Sequence, residues 1–490
     1  MSAIIGRTDE LRILQALYDA EAPQFLAVYG RRRIGKTFLI SQFFHDKGLY
    51  FELAGIKDAP LKTQLGNFAR EYADVYDFGK LAPSPSTWFD AFDSLRKRAQ
   101  ARAPGEKMIL FFDELPWLAS PRSQFLAALD HSWNRYFSRM KHIIVIICGS
   151  AASWMIKKVL QDKGGLHGRL TQKIQLLPFT LAETRLFLDA QQVRLTPSQL
   201  IEFYMAVGGV ATYLCQLQPG RSANQLIQGR YFDKNAPLKG EFHKLFSSLF
   251  DKYERHLAII EALAASHYGL SVEQLLEKTR AHSGGGFSAL LTELLESGFL
   301  TFLPQLNNKK KAGRFLLTDE FTLFYLKWVR SWENQIADLD GYWHRQSNTQ
   351  SFRAWAGYAF ETLCVKNIAH IKEQLGIAGI TAKVSQWHDN EAQIDLVIDR
   401  ADNCINLCEL KFYNAEYVVG AKEAAELLRK KTRFLASTGT KKALFVTLIT
   451  ANGAARNQHY VDTIDSHVRA DGFVFGPREL TAQLQRDARA

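Results

Sequence analysis

A glycine-rich loop near the amino terminus has the residue types and spacing that bind phosphate. Residues 30–37 read GRRRIGKT and fit the pattern G-x-x-x-x-G-K-[ST]. Glycines let successive backbone N–H groups point toward one centre, and a following helix adds partial positive charge there. Lys36 would then reach the β- and γ-phosphates, and the Thr37 hydroxyl would bind Mg²⁺. The sequence predicts a nucleoside-triphosphate site made of Gly30, Arg31, Arg32, Arg33, Ile34, Gly35, Lys36 and Thr37.

Two adjacent acids follow an apolar run farther along the chain. Residues 108–112 read MILFF, and Asp113 and Glu114 come directly after them. A buried parallel strand that ends in acids places them at the carboxyl edge of the sheet, where a phosphate loop also lies. Asp113 is expected to hold Mg²⁺ through water, and Glu114 to polarise the attacking water.

Two further residues are candidates for sensing the γ-phosphate. Ser150 follows the apolar run 143–148, and a polar side chain at that strand end either contacts the γ-phosphate or caps a helix, as Ser153 also could. Arg169 lies in a glycine-rich connection before the apolar run 173–177. It is either an arginine finger, acting in cis or from a neighbouring subunit, or a surface arginine.

A second set of charged residues interrupts two apolar runs near the carboxyl terminus. Asp395 lies in the run 393–398, and Glu409 and Lys411 lie in the run 406–412. Because side chains alternate along a strand, Glu409 and Lys411 share one face. Carboxylates that hold Mg²⁺ and a cation that orients or activates water are what phosphodiester hydrolysis requires. The alternative is a structural salt bridge between Asp395 and Lys411.

The elements that must position these residues follow from periodicity. Residues 25–29 form a strand before the phosphate loop, and residues 36–44 form a helix after it. Residues 50–107 are predicted as helices and loops. The order helix, helix, helix and two strands over residues 255–330 predicts a winged helix whose hairpin carries Lys309, Lys310 and Lys311. From residue 352 onward the expected order is α-β-β-α-β.

Composition sets the broad class. The chain has 490 residues, 47% of them hydrophobic, and a net charge of +11. It shows no apolar run of membrane-spanning length and no signal-peptide pattern. Its five scattered cysteines indicate reduced thiols in a cytoplasmic protein. The positive charge makes a polyanionic partner plausible without identifying it.

Residues 1 to about 330 resemble the archaeal-type P-loop ATPases of the AAA+/STAND superfamily. The resemblance rests on the phosphate loop and on short motifs around it: Gly6-Arg7, Asp113-Glu114-Leu115-Pro116, Cys148-Gly149-Ser150, Gly168-Arg169 and Gly208-Gly209. It implies ATP as the nucleotide, a five-stranded core, a helical lid and a winged helix. Val210, Ala211 and Thr212 stand where these ATPases commonly have proline, so the resemblance assigns no sensor residue in the lid.

The carboxyl-terminal pattern resembles the core of PD-(D/E)XK nucleases. The resemblance implies catalytic roles for Asp395, Glu409 and Lys411, a metal site at Asp395 and Glu409, and a helix-borne carboxylate at Glu361. A nuclease fold without activity is the alternative. The expected domains are an ATPase core (1–180), a helical lid (181–250), a winged helix (251–332), a linker (333–350) and the nuclease-like domain (351–490).

Two functions are compatible with these features. One is an ATP-hydrolysing protein coupled to a metal-dependent domain that cuts or holds DNA, as in defence or mobile-element biology. The other is a STAND-like switch that forms homo-oligomers on ATP and binds a partner through an inactive nuclease-like domain. The fold class is α/β in both, with ATP and Mg²⁺ as cofactors and no membrane partner.

Overall fold

The fold was analysed in a computed structural model of the chain. It describes residues 3–77, 79–80, 83–103, 105–150, 152–160, 166, 168–250, 252–266, 268–306, 313–332 and 339–475. These residues group into two compact units, residues 1–178 with 245–253, and residues 179–244 with 254–490. No helix in the described ranges has both the length and the apolar character needed to cross a membrane.

The first unit is built on a parallel five-stranded sheet in the order β2-β3-β4-β1-β5. Its strands are β1 (Gln24–Tyr29), β2 (Leu49–Ala54), β3 (Met108–Asp113), β4 (Ile143–Gly149) and β5 (Gln172–Gln175). Its helices are α1 (Thr8–Asp19), α2 (Lys36–Phe44), α3 (Leu61–Tyr76), α4 (Trp88–Ala101), α5 (Leu115–Leu118), α6 (Phe125–Arg135) and α7 (Ala152–Met155). A parallel sheet of this order confirms the predicted α/β class of the first unit.

The central strands are continuous apolar runs because both faces of the sheet are covered. β1, β3 and β4 are buried at every residue, as expected of parallel strands between helices. β2 was not predicted, because residues 50–107 were expected to be helical or loop. Glu52 interrupts its apolar pattern and accepts hydrogen bonds from Tyr50 (2.6 Å) and Ser41 (2.8 Å).

The second unit begins with a group of helices. Along the chain these are α8 (Leu181–Ala190), α9 (Pro197–Val207), α10 (Ala211–Leu214), α11 (Ala223–Tyr231) and α12 (Glu241–Leu249). Residue 245 onward in α12 belongs to the first unit. α8, α9 and α11 each start with a capping box, in which a serine or threonine side chain and the residue three positions later exchange hydrogen bonds.

Three helices and a hairpin follow, in the order predicted for a winged helix. They are α13 (Tyr253–Ala264), α14 (Val272–Thr279), α15 (Gly285–Glu296), β6 (Leu300–Pro304) and β7 (Gly313–Leu317). β6 and β7 pair antiparallel, and Gln305 beyond β6 forms a bridge with Gln386 of the carboxyl-terminal sheet. The predicted basic residues Lys309, Lys310 and Lys311 lie outside the described residues.

An aromatic segment leads from the hairpin to the carboxyl-terminal domain. It contains α16 (Glu320–Phe324) and α17 (Tyr342–Gln346). The predicted linker, residues 333–350, is described only from residue 339. In that part Trp343 is buried and its ring lies 4.8 Å from the ring of Phe324 and 5.6 Å from that of Trp328.

The carboxyl-terminal domain is a mixed sheet in the order β12-β11-β10-β9-β8. Its strands are β8 (Ala382–His388), β9 (Gln393–Arg400), β10 (Cys404–Lys411), β11 (Ala443–Thr450) and β12 (Ser466–Arg469), and its helices are α18 (Gln350–Lys366), α19 (Ile368–Gln374), α20 (Ala421–Thr438) and α21 (Gln458–Thr463). β8, β9 and β10 pair antiparallel, whereas β10, β11 and β12 pair parallel. The predicted order α-β-β-α-β does not contain β8. The first helix of that order was expected as one helix over residues 358–371, whereas the structure has two helices, α18 and α19, that meet at Asn367.

Candidate functional site

The phosphate loop joins the buried strand β1 to α2, as the motif requires. Gly30 has φ 148°, and a Cβ there would lie 2.2 Å from the carbonyl oxygen of Leu176, so the loop passes against the backbone after β5. Gly35 has φ 93° where α2 begins. The Lys36 ammonium donates to the carbonyls of Gly30 (3.1 Å) and Arg31 (2.9 Å). The Lys36 ammonium therefore lies inside the loop in which it is predicted to bind the β- and γ-phosphates.

Side-chain oxygens from two elements converge at the start of α2. The Thr37 hydroxyl donates to Asp113 Oδ2 at 2.5 Å. Asp113 Oδ1 accepts the backbone N–H of Glu114 at 2.8 Å, which fixes the direction of the carboxylate. The structure thus brings together the loop threonine and the strand-end aspartate, two predicted Mg²⁺ ligands that are 76 residues apart in sequence.

Glu114 has a backbone conformation that is rare for a residue with a side chain. It lies at φ 46°, ψ 50°, between the end of β3 and the start of α5, a left-handed conformation that costs roughly 1–2 kcal/mol. The Ser150 hydroxyl lies 2.8 Å from Glu114 Oε2 and 3.1 Å from Oε1, and donates to this carboxylate. Ser150, predicted to contact the γ-phosphate or to cap a helix, therefore positions Glu114. The side chain of Ser153 lies outside the described residues.

Two arginines near the nucleotide site have different roles. Arg7 is buried and donates to the carbonyls of Leu177 (2.8 Å) and Ile34 (3.1 Å), which ties the amino-terminal segment to the loop. Arg7 belongs to the Gly6-Arg7 motif, but the sequence did not predict which groups its side chain contacts. Arg169, the predicted finger, is half-exposed and its Nε lies 3.7 Å from Asp130 Oδ1. Asp130 is the partner that this structure shows for Arg169.

The donor set of this site fits a magnesium nucleotide. Mg²⁺ prefers oxygen ligands and is usually bound by one or two protein groups together with substrate phosphates. Thr37 Oγ1 and Asp113 Oδ2 are such a pair, already in contact at 2.5 Å. Ile34 is buried, whereas Arg32 and Arg33 are exposed, so the loop presents basic side chains to solvent.

The carboxyl-terminal domain holds a second charged site at the end of β10. Glu409 is buried, and its two carboxylate oxygens are paired with the ammonium groups of Lys411 (2.9 Å) and Lys430 (2.7 Å). Asp395 on β9 accepts the backbone N–H of Leu410 at 3.1 Å, so its carboxylate lies beside the same strand.

Lys430 was missed by sequence reasoning. It lies on α20, three residues after Leu427 and four before Phe434, both of which are buried. Residues at this spacing lie on one face of a helix, so the sequence did contain a signal that Lys430 faces the sheet. A lysine on the buried face of an amphipathic helix needs an anionic partner, and Glu409 supplies it.

Burial and like charge alter the protonation of the three carboxylates. Burial raises the pKa of Glu361 to about 9, and Asp395 and Glu409 add to the rise. Burial raises the pKa of Asp395 to about 7, with a further contribution from Glu409. Burial opposes ionisation of Glu409 as well, but Lys411 and Lys430 hold its pKa below the usual value. The four predicted residues, Glu361, Asp395, Glu409 and Lys411, therefore interact electrostatically.

The fit of this second site to a cation is conditional. In the described part of the chain, no group of three or more histidine, cysteine, aspartate or glutamate side chains could hold a metal ion. Two carboxylates with substrate phosphates satisfy Mg²⁺ in other sites, and Asp395 and Glu409 are such a pair. Because each oxygen of Glu409 is paired with one lysine and keeps a second lone pair, a cation fits on condition that it can approach this carboxylate beside an ammonium group.

The candidate recognition helix of the winged helix, α15, is poorly suited to reading bases. Glu293 is buried and pairs with His256 Nε2 at 2.9 Å. One of the few polar side chains of α15 is therefore engaged inside the domain. On the same helix Ser288 is exposed, whereas Thr292 is partly buried and donates its hydroxyl to the Ser288 carbonyl. No arginine or asparagine, the usual base-contacting residues, occurs in α15.

Two comparisons with known proteins cover different lengths of the chain. Residues 5–217 match a family described as an ATPase domain found predominantly in Archaea. The uncharacterized protein MJECL04 of Methanocaldococcus jannaschii is 22% identical over 400 residues, which are 80% of this chain and 83% of that protein. The family match contains the phosphate loop, Asp113, Glu114 and Ser150, and ends before the carboxyl-terminal sheet.

Solved structures similar to this chain include two proteins that are described as ATPases. The Walker-type ATPase PABY2304 of Pyrococcus abyssi is 15% identical, with 66% of this chain and 96% of that one covered and a TM-score of 0.47. The STAND protein PH0952 of Pyrococcus horikoshii is 16% identical, and the match covers 76% of this chain and 51% of that protein with a TM-score of 0.29. Cdc6p of Pyrobaculum aerophilum is 12% identical, and the match covers 66% of this chain and 93% of that protein with a TM-score of 0.32. Residues 5–217 are therefore similar to an ATPase domain of the archaeal type.

Proposed function

We propose that this chain hydrolyses ATP in its first unit and cleaves phosphodiester bonds of nucleic acid at the end of β10. In the first site the loop amides and Lys36 bind the phosphates, and Thr37 and Asp113 hold Mg²⁺. Bound Mg²⁺ would neutralise charge that develops on the phosphate oxygens. Glu114 orients the attacking water, and Ser150 fixes the direction of that carboxylate. The contact of Thr37 with Asp113 at 2.5 Å is the observation that carries this proposal.

Phosphate release from ATP tests the first activity. Lys36→Ala removes the cation that stabilises the transferred phosphoryl group, and we expect kcat/KM to fall at least about 100-fold. Glu114→Gln should lower kcat by a similar factor while ATP still binds. Lys62→Ala is the control, because Lys62 is an exposed lysine on α3, and it should retain full activity. Equal rates in all four proteins would refute the assignment.

The second activity is supported by the charge arrangement around Glu409. Asp395 and Glu409 would hold a divalent cation, which would lower the pKa of a water molecule that Lys411 orients toward phosphorus. As the new P–O bond forms, the bond to the leaving oxygen breaks, the attacking water loses a proton to solvent, and the leaving oxygen takes one from solvent. Burial opposes the charge on Lys411, but Glu409 dominates and raises its pKa overall. Paired with Glu409, Lys411 carries a positive charge that it can direct at water or phosphate as a hydrogen-bond donor.

A second candidate function is a domain that binds a partner without cleavage. The observation that favours it is the pairing of both Glu409 oxygens with lysines at 2.7 and 2.9 Å, which is also what a structural ion-pair network looks like. In that case the chain is a nucleotide-dependent switch that oligomerises on ATP, and the charged cluster only stabilises the sheet.

Calorimetric titration with Mn²⁺ separates the two candidates. For the cleaving enzyme we expect nucleotide-free protein to bind Mn²⁺ at the second site, and Asp395→Asn to remove that binding. Asp402→Asn is a matched control, because Asp402 lies in the turn between β9 and β10 and is paired with Arg400. No difference between the Asp395 variant and wild type would favour the binding domain.

A further inference from the structure

An exposed aromatic side chain follows directly after the strand that carries Glu409 and Lys411. Tyr413 is 53% exposed, two residues beyond the end of β10. Phe412 turns the other way, and its ring lies 5.6 Å from the ring of Phe360 on α18. The chain therefore leaves the charged site with one aromatic ring packed inside and the next one presented to solvent.

The backbone that holds Tyr413 is fixed by neighbouring segments. Asn452 Nδ2 donates to the carbonyl of Tyr413 at 2.7 Å. Tyr417, four residues later, donates its backbone N–H to Gly453 (3.0 Å) and accepts from Ala455 (2.8 Å). These bonds tie the segment after β10 to the segment after β11, so the backbone that carries Tyr413 is held in place before any ligand binds.

Tyr413 lies beside the charged groups and beside a second ring. Its ring is 5.1 Å from that of the buried Tyr417, at 47°, and Tyr417 donates its hydroxyl to Glu423 Oε1 at 2.8 Å. Tyr413 is also two residues beyond Lys411, the last residue of β10. The exposed ring is thus close along the chain to the lysine assigned to the scissile phosphate.

An exposed ring next to a phosphate site is suited to stacking on a nucleobase. Every base has a π-face, so such stacking tolerates any sequence, but it requires a base that is not already stacked and paired in a duplex. We propose that Tyr413 stacks on an unpaired base of the strand whose backbone enters the Glu409 site, so that this site takes single-stranded or frayed nucleic acid in preference to continuous duplex. This inference rests on the proposed nucleic-acid function of the site.

Charge favours a nucleic acid over a protein as the occupant. The two ammonium groups of Lys411 and Lys430 pair with the single carboxylate of Glu409, and this excess of positive charge favours a polyanion. The exposed Val418 lies five residues after Tyr413, and it adds little apolar surface compared with a protein interface, which buries about 800 Å² on each partner.

Binding of labelled oligonucleotides in Ca²⁺, measured by fluorescence anisotropy, tests the inference without relying on cleavage. The probes are a 20-nucleotide single strand of mixed sequence and the blunt duplex of the same sequence. Tyr413→Ala should weaken single-strand binding about 5- to 100-fold and change duplex binding less than twofold. Tyr413→Phe keeps the ring and should bind like wild type. Tyr268→Ala is the matched control, because Tyr268 is also 53% exposed but lies in the winged helix.

Each outcome decides between the two proposals. Loss of single-strand binding in Tyr413→Ala alone supports the inference even if the wild-type protein cuts nothing in Mg²⁺, in which case only the cleavage proposal fails. Unchanged single-strand binding in Tyr413→Ala, or an equal loss in Tyr268→Ala, would overturn the inference even if the protein cleaves. A Tyr413→Ala protein that loses single-strand and duplex binding equally would overturn it too.

Discussion

At the scale of single residues, the contact between Ser150 and Glu114 shows how the candidate catalytic carboxylate of the nucleotide site is oriented. Glu114 lies in a left-handed conformation at φ 46°, and such strain persists only where surrounding contacts impose it. Two contacts do so here: the Glu114 N–H bonds Asp113, and Ser150 donates to the Glu114 carboxylate. The carboxylate is therefore held in place before nucleotide binds.

Ser150→Ala should reduce the rate of ATP hydrolysis with little effect on nucleotide binding. The hydroxyl bonds a charged carboxylate, and losing such a bond costs about 1.5–3 kcal/mol, so we expect kcat to fall about 10- to 100-fold while KM changes less than threefold. Ser150→Thr keeps the hydroxyl and should retain most activity. Steady-state phosphate release measures both constants.

The exposed Ser86 provides the control for that experiment. Ser86→Ala should be indistinguishable from wild type. If Ser150→Ala raises KM instead and leaves kcat unchanged, the serine contacts the nucleotide rather than Glu114, and the positioning role is wrong.

At the scale of elements, the phosphate loop depends on a glycine that no other residue can replace. An alanine Cβ at position 30 would lie 2.2 Å from the carbonyl oxygen of Leu176 and 2.8 Å from Ile34 Cδ1. Both neighbours belong to the packed core of the first unit, so the loop or the segment after β5 must move. We expect Gly30→Ala to lower the free energy of unfolding by about 2–4 kcal/mol and to abolish ATP binding.

Gly66 is the matched control for the loop glycine. It lies within α3, and a Cβ added there meets no heavy atom within 4 Å. Gly66→Ala should stabilise the protein by about 0.5–1 kcal/mol, because alanine loses less backbone entropy in a helix. Urea denaturation of the two variants measures the difference, and a Gly30→Ala protein as stable as wild type would contradict the loop geometry.

The last strand of the carboxyl-terminal sheet should make stability depend on pH. Burial lowers the pKa of His467 on β12 to about 4; Arg469 and Arg456 lower it further, while Asp471 opposes them. Its Nε2 lies 2.8 Å from Thr450 Oγ1. Below pH 6.5 the histidine of the unfolded chain binds a proton, whereas the folded histidine stays neutral until the pH approaches 4. Its contribution to the free energy of unfolding is therefore fully present above pH 6.5 and is lost as pH falls toward 4.

The size of this effect is limited by solvent. Because His467 is only partly buried, screening reduces the full linkage value, and we expect a loss of about 1–2 kcal/mol between pH 7 and pH 4.5. His467→Gln should show a smaller loss over the same interval when both proteins are compared by urea denaturation. Parallel pH profiles for the two proteins would show that His467 does not contribute.

The same elements show what the sequence could and could not predict. β1, β3 and β4 were predicted because each is a continuous apolar run, buried on both faces. β2 and β8 were missed because Glu52 interrupts one and Lys383, Ser385 and Gln386 give the other an irregular pattern. Their strand conformation comes from pairing with β3 and β9, which is a tertiary effect that local propensity does not contain.

The candidate site residues divide in the same way. Asp113 and Glu409 could be predicted because each follows or interrupts an apolar strand. The partners Ser150 and Lys430 come from elements 36 and 21 residues away, so their contacts depend on how strand and helix pack. Arg169 lies beside Asp130, a contact that its sequence context did not predict, and the choice between an arginine finger and a surface arginine stays a prediction.

At the scale of the whole molecule, each compact unit has its own candidate site. Lys36, Thr37, Asp113, Glu114 and Ser150 lie in the first unit, and Glu361, Asp395, Glu409, Lys411 and Lys430 lie in the second. Substitutions in one site should therefore leave the other site unchanged, because sites that share no partner among the described residues act additively. This separation allows each activity to be removed while the other is kept as an internal control for folding.

The most direct test of the account is cleavage of end-labelled DNA by wild type, Glu409→Gln and Glu416→Gln. Single-stranded and duplex substrates are incubated in Mg²⁺ or Mn²⁺, and ATP hydrolysis is measured on the same samples. We expect wild type to cut, Glu409→Gln to be at least about 100-fold slower, and the exposed Glu416 variant to match wild type, with ATP hydrolysis unchanged in all three. Wild-type protein that hydrolyses ATP but cuts no faster than Glu409→Gln in either metal would contradict the account and leave the partner-binding switch.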